Sequence, residues 1–72
     1  MTEDQIKKLL YAIGSTVRDV GEVPSGTIYA AVMDRCTLEE YEGIITMLVL
    51  AKVITKHGHL LRGVKNESAN QI

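Results

Sequence analysis

The residues best equipped for chemistry gather late in the chain. Between Gly43 and Asn66 every charged side chain is a cation, namely Lys52, Lys56, Arg62 and Lys65, with His57 and His59 among them. Ahead of Gly43 the balance reverses. Eight carboxylates (Glu3, Asp4, Asp19, Glu22, Asp34, Glu39, Glu40 and Glu42) outnumber Lys7, Lys8, Arg18 and Arg35. The two parts therefore carry −4 and +4, and Glu67 brings the whole to −1. Clustered cations beside two histidines are chemistry for holding an anion, above all the phosphates of a polyanion. Four cations would give a salt slope no steeper than about −3.6, which means weak, sequence-independent binding by one copy. A plainer role fits the same residues, because charge on an exposed strand edge keeps sheets from adding to one another.

Other chemistry finds less support. His57-x-His59 with Cys36 could be imagined around a metal, but structural zinc needs four ligands at recognisable spacing, and no further ligand is evident. No metal and no cofactor are expected. Cys36 precedes a helix start, where a thiol can be activated, yet a buried, inert cysteine is the commoner state. As the single cysteine it forms no internal disulfide, and with no charged-then-apolar leader it points to a reducing cytoplasm. The sequon Asn66-Glu67-Ser68 matters only in a secreted chain. Glycine-rich phosphate loops, metalloprotease helices and nucleophile elbows are missing. An aliphatic domain of 72 residues leaves little room for a catalytic cleft, so an enzyme is not expected.

The elements that must position the basic cluster are legible in outline. Thr2 and Gln5 form a possible capping box, and Ile6, Leu9, Leu10, Ile13 and Val17 repeat at helical spacing behind it. Gly21 is the expected stop. Glu22-Val23 reads as a short extended link, because the residue before Pro24 is steered away from helical angles. A second, short helix opens at Pro24 or Ser25, turns Ile28, Ala31 and Val32 to one side, and ends near Asp34-Arg35. Thr37 with Glu40 forms the clearer capping box, and a third helix runs from Leu38 to about Ala51 with Tyr41, Ile44, Ile45 and Leu48 buried. Val53 to Lys56 suits a strand, His57-Gly58 a tight turn, and His59 to Val64 the returning strand. Residues 65–72 read as a flexible polar tail. The longest apolar run, Ile44 to Ala51, is far short of the roughly 20 residues that span a bilayer, so no membrane is expected. With no Phe or Trp and three scattered tyrosines, a platform for stacking single-stranded bases is not expected either.

This order of elements, carried by P-S-G-T-I-Y-A-A-V-M in the second helix, T-L-E-E-Y-E-G-I-I-T-M-L-V-L-A-K-V-I in the third and T-K-H-G-H-L-L in the hairpin, resembles a winged helix-turn-helix domain. The likeness is one of pattern and covers residues 2 to 64. The expected fold class is mainly α with a small β-hairpin, residues 1–64 making the domain. Lys52 stands where many winged helices carry glycine. The resemblance implies binding of double-stranded DNA by a homodimer, the third helix in the major groove and the wing on neighbouring phosphates. Lys52, Lys56, His57, His59, Arg62 and Lys65 would make that contact. Members of the family also serve as protein-interaction and dimerisation units, and the fold alone does not choose.

The outer face of the third helix strains the DNA expectation. At 100° per residue it carries Glu39, Gly43, Thr46 and Leu50, with Glu42 and Met47 at its margins. Base edges are read mainly by Arg, Lys, Asn and Gln, and this face has none. Glu39, Glu40 and Glu42 would approach phosphates repulsively, although acids in a first helical turn also stabilise the helix by about 0.3–1 kcal/mol each. Two functions therefore stand. The leading expectation is a small transcription regulator making weak DNA contact chiefly through its basic wing. The alternative is a protein-interaction or dimerisation adaptor using Glu39, Glu42, Thr46, Met47 and Leu50.

Overall fold

Two capping boxes fix where the long helices begin. In the computed structural model, which describes residues 2–64, α1 spans Glu3–Val20. Thr2 Oγ1 accepts from the Gln5 N–H at 3.2 Å, and Gln5 Oε1 accepts from the Thr2 N–H at 2.9 Å. The helix passes through Gly14 unbroken and stops at Gly21, whose φ of 94° is open to glycine and whose N–H bonds the Val17 carbonyl. Leu9, Ile13 and Val17 face inward as their spacing requires. Thr37 and Glu40 repeat the device for α3, Leu38–Leu50, with distances of 3.1 and 2.9 Å. Tyr41, Ile44, Ile45 and Leu48 of α3 are all buried. Between them α2, Ser25–Val32, is shorter than the sequence suggests: Met33 to Arg35 leave it as a turn closed by the Arg35 N–H on the Val32 carbonyl. Ile28 is buried and Val32 partly so, but Ala31 is exposed.

The exit from α3 sets the path of everything after it. Lys52 takes φ 62°, its N–H bonds the Val49 carbonyl, and the Val53 N–H bonds the Leu48 carbonyl. This paired closure satisfies the last carbonyls of the helix, and it normally uses glycine at the left-handed position. The lysine that departs from the winged-helix pattern thus adopts the glycine conformation at a steric cost. Val53 then packs against α1 at Gly14, where an added Cβ would lie 3.2 Å from Val53 Cγ1 and 3.4 Å from Leu48 Cδ2.

Three strands follow from that path, not two. β1 (Glu22–Pro24), β2 (Ile54–His57) and β3 (Leu60–Gly63) form an antiparallel sheet in the order β1-β3-β2. The segment expected as an extended link is therefore an edge strand, with Glu22 opposite Arg62, Val23 opposite Leu61 and Pro24 opposite Leu60. Pro24 is tolerated because an edge position need not donate. Around it the Gly63 N–H bonds the Gly21 carbonyl at 3.0 Å and the Ser25 N–H bonds the His59 carbonyl at 2.6 Å. The hairpin turn also differs from expectation: His57 pairs with Leu60, so the loop is Gly58-His59 and not His57-Gly58. Gly58 carries the positive φ of 65° while His59 has none, a pattern that spares histidine the left-handed region.

Leu9, Ile13, Val17, Val23, Ile28, Tyr41, Ile44, Ile45, Leu48, Ile54 and Leu61 make one core with Cys36 at its edge. Three helices and a small antiparallel sheet are compatible with a winged-helix-like topology. Among the described residues no helix is long and apolar enough to cross a membrane. The expected tail, residues 65–72, lies outside the described residues.

Two substitutions check this architecture by chemical denaturation. Lys52→Gly should stabilise the protein by up to about 1 kcal/mol, because it removes the Cβ clash of the left-handed conformation. Gly63→Ala should destabilise it by about 1–3 kcal/mol, since an added Cβ would sit 2.6 Å from the Arg18 Cα.

Candidate interaction surfaces

Strand register decides which way each hairpin residue faces. Residues paired across a sheet share a face, and alternate residues along a strand point oppositely. Lys56 is opposite Leu61, so it leaves the sheet on the core side, beyond the edge of the core. Thr55, Arg62 and Glu22 share the outer side, as do His57, Leu60 and Pro24. His59 occupies the turn, and Lys52 lies at the exit of α3, before the other end of β2. The expected cations consequently do not converge on one surface: Lys56 is on one face, Arg62 and His57 on the other, and Lys52 at the base. Lys65 lies outside the described residues.

Arg62 is also committed elsewhere. Its Nε donates to Glu22 Oε2 at 3.0 Å across the β1–β3 pair, with both side chains about half exposed. A carboxylate from the acidic front of the chain thus neutralises one of the cations expected to face a polyanion. Lys56, His57 and His59 are exposed around the hairpin tip.

Lys56 borders a groove of 390 Å³ between α2, α3 and the hairpin, lined also by Tyr41, Glu42, Thr46, Ser25 and Gly26. The floor is polar but internally satisfied. The Tyr41 hydroxyl donates to the Ser25 carbonyl, and the two side-chain oxygens lie 3.0 Å apart. Loss of water on burial pushes the Tyr41 hydroxyl above its ordinary pKa, the Ser25 contact opposing. Tyr29 tilts against Tyr41 with ring centroids 5.1 Å apart. No side chain caps α2. Its first amide, at Ser25, is used by His59, and among the described residues no group accepts from the N–H groups of Gly26 and Thr27 at the helix N-terminus.

The outer face of α3 is as the spacing places it. Glu39, Glu42, Gly43 and Thr46 are exposed, and Met47 and Leu50 are 43% and 75% exposed. The Thr46 hydroxyl donates to the Glu42 carbonyl within the helix, so it offers little to a ligand. Glu40 is held below the ordinary carboxylate range, chiefly by the Thr37 backbone N–H, in keeping with a capping role. Sequence reasoning missed the apolar shoulder beside this face, where Leu38 and Met33 stand more than half exposed. Both lie off the helical stripes, which was the signal available.

Cys36 is buried, with its Sγ–H directed to the Val32 carbonyl at 3.6 Å. Burial, then the charges of Glu40 and Asp34, push its thiol pKa up, the reverse of activation. Among the described residues no three His, Cys, Asp or Glu side chains converge as a metal site would need. No protein-family model, curated protein or solved structure matches the chain at a significant level.

A double-mutant cycle on Glu22→Gln and Arg62→Gln, read by chemical denaturation, should give a coupling of about 0.2–1 kcal/mol for this exposed cross-strand pair. A coupling of zero would return Arg62 to the pool of cations open to an anion.

Proposed function

We propose that the protein is a non-enzymatic winged-helix-like interaction module whose outer α3 face docks a protein, in the first instance a second copy of itself. The observation that carries this reading is the composition of that face: Glu39 and Glu42 with the apolar Met47 and Leu50, and no Arg, Lys, Asn or Gln. Such a face repels phosphates and offers no base-reading donors, but exposed methionine and leucine beside charge suit a protein contact.

A second reading, a regulator touching DNA through its wing, is favoured by one feature. Lys56 borders the same groove as the uncapped start of α2, where the Gly26 and Thr27 amides could receive a phosphate oxygen. With Arg62 on the opposite face of the sheet and paired to Glu22, too few cations join Lys56 for more than weak, salt-sensitive binding.

Light scattering and duplex titration separate the two. The adaptor reading predicts a concentration-dependent dimer that Leu50→Asp abolishes while circular dichroism stays unchanged, and no retention of random duplex DNA at low salt. An assembly indifferent to Leu50→Asp contradicts it. Duplex binding at low salt that Lys56→Glu removes would establish the wing reading instead.

A further inference from the structure

A second groove lies away from the outer α3 face, between α1 and the junction of α3 with β2. It encloses 360 Å³. Its floor is apolar, made by Leu10, Gly14, Leu48 and Val53, and Tyr11 stands beside it 78% exposed. Gly14 keeps the floor open, since any side chain there would press on Val53 and Leu48. The charged residues of the lining are Lys7 and Arg18, and no carboxylate is among them. Among the described residues neither cation has an ion-pair partner. They stand on α1 three turns apart, about 16 Å along the axis, with the apolar floor between them.

We infer that this groove docks an acidic amphipathic helix of a partner protein, its apolar stripe on Leu10, Leu48 and Val53 and its carboxylates on Lys7 and Arg18. The charge pattern selects this occupant over a second copy of the chain. A two-fold pairing of α1 helices through this groove would set Lys7 of one copy against Arg18 of the other, cation on cation, and would be opposed by like-charge repulsion. A helix bearing carboxylates about eleven positions apart, with apolar residues at three- and four-residue spacing between them, meets both cations and the floor together. Exposed tyrosine flanked by basic residues supplies a rigid wall at small entropic cost. The inference is independent of the outer α3 face, because it uses none of its residues.

The test is fluorescence anisotropy with the full chain and a labelled synthetic helix carrying leucines on one stripe and glutamates about eleven residues apart. A second probe has those glutamates changed to lysine. The acidic helix should bind, and the lysine helix should bind at least about tenfold more weakly. Lys7→Glu with Arg18→Glu should reverse that preference, and Tyr11→Ala should weaken binding of the acidic helix. Glutamate at position 18 retains the Cβ and Cγ that lie over Gly63, so circular dichroism and the thermal midpoint should show an intact fold. No binding of either helix, equal binding of both, or a preference that survives the double charge reversal would overturn the inference. So would self-association of the unmodified chain that the double reversal abolishes, because a second copy would then be the occupant.

Discussion

Leu61 in the middle of β3, Ile54 at the start of β2 and Val17 on α1 have essentially no solvent exposure. Holding them together requires β3 to lie unusually close to α1, and it does so where Gly63 meets the backbone of Arg18. The rest of the surface follows from that contact. Once β3 is seated, its outer edge recruits Glu22 to Pro24 as a strand and its inner edge is filled by β2. Core-facing Leu61 then fixes Lys56 on the same side and Arg62 on the other, where it meets Glu22. In a chain without Phe or Trp, this close aliphatic packing stands in for the bulk that larger aromatic cores supply.

How much of this was legible depended on whether the determining interaction was local. α1 and α3 announce themselves because both capping boxes and the apolar stripes lie within a few residues of one another. The place of Lys52 was legible only through the winged-helix resemblance, which puts a glycine there, and the left-handed φ of 62° agrees with that position. β1 was not, because three residues containing a proline carry no periodicity, and their partners lie about forty positions away in sequence. The turn was misplaced by one residue for a subtler reason. Either loop keeps Ile54 and Leu61 on one face, so the hydrophobic pattern cannot choose. The backbone chooses, by placing Gly58 rather than His57 at the first loop position, where φ is positive.

The same distinction explains the β2–β3 hairpin. Its cations form a cluster in sequence, but strand alternation separates them in space, and the strand that sequence reasoning missed supplies the carboxylate that engages Arg62. Conversely, the α3 face needed only helical spacing, and Glu39, Glu42, Thr46, Met47 and Leu50 all stand outward as that spacing requires. The α1 groove drew no notice from sequence because Lys7 and Arg18 look like ordinary solvent-facing residues until Leu48 and Val53 arrive between them from the far side of the fold. The protein thus presents an acidic-apolar face on α3 and a basic-apolar groove beside α1.

Both surfaces presuppose that β3 is closed against α1 and β1. Native-state amide hydrogen exchange at Gly63 and Ser25 tests this most directly, because their N–H groups are held by the carbonyls of Gly21 and His59 across the β1–β3 junction. The account predicts exchange at both sites slowed to nearly the same degree as the Ile44 and Leu48 amides of the α3 core. Exchange at Gly63 and Ser25 as fast as in an unstructured peptide, with the α3 amides still protected, would mean the sheet is open and would contradict it.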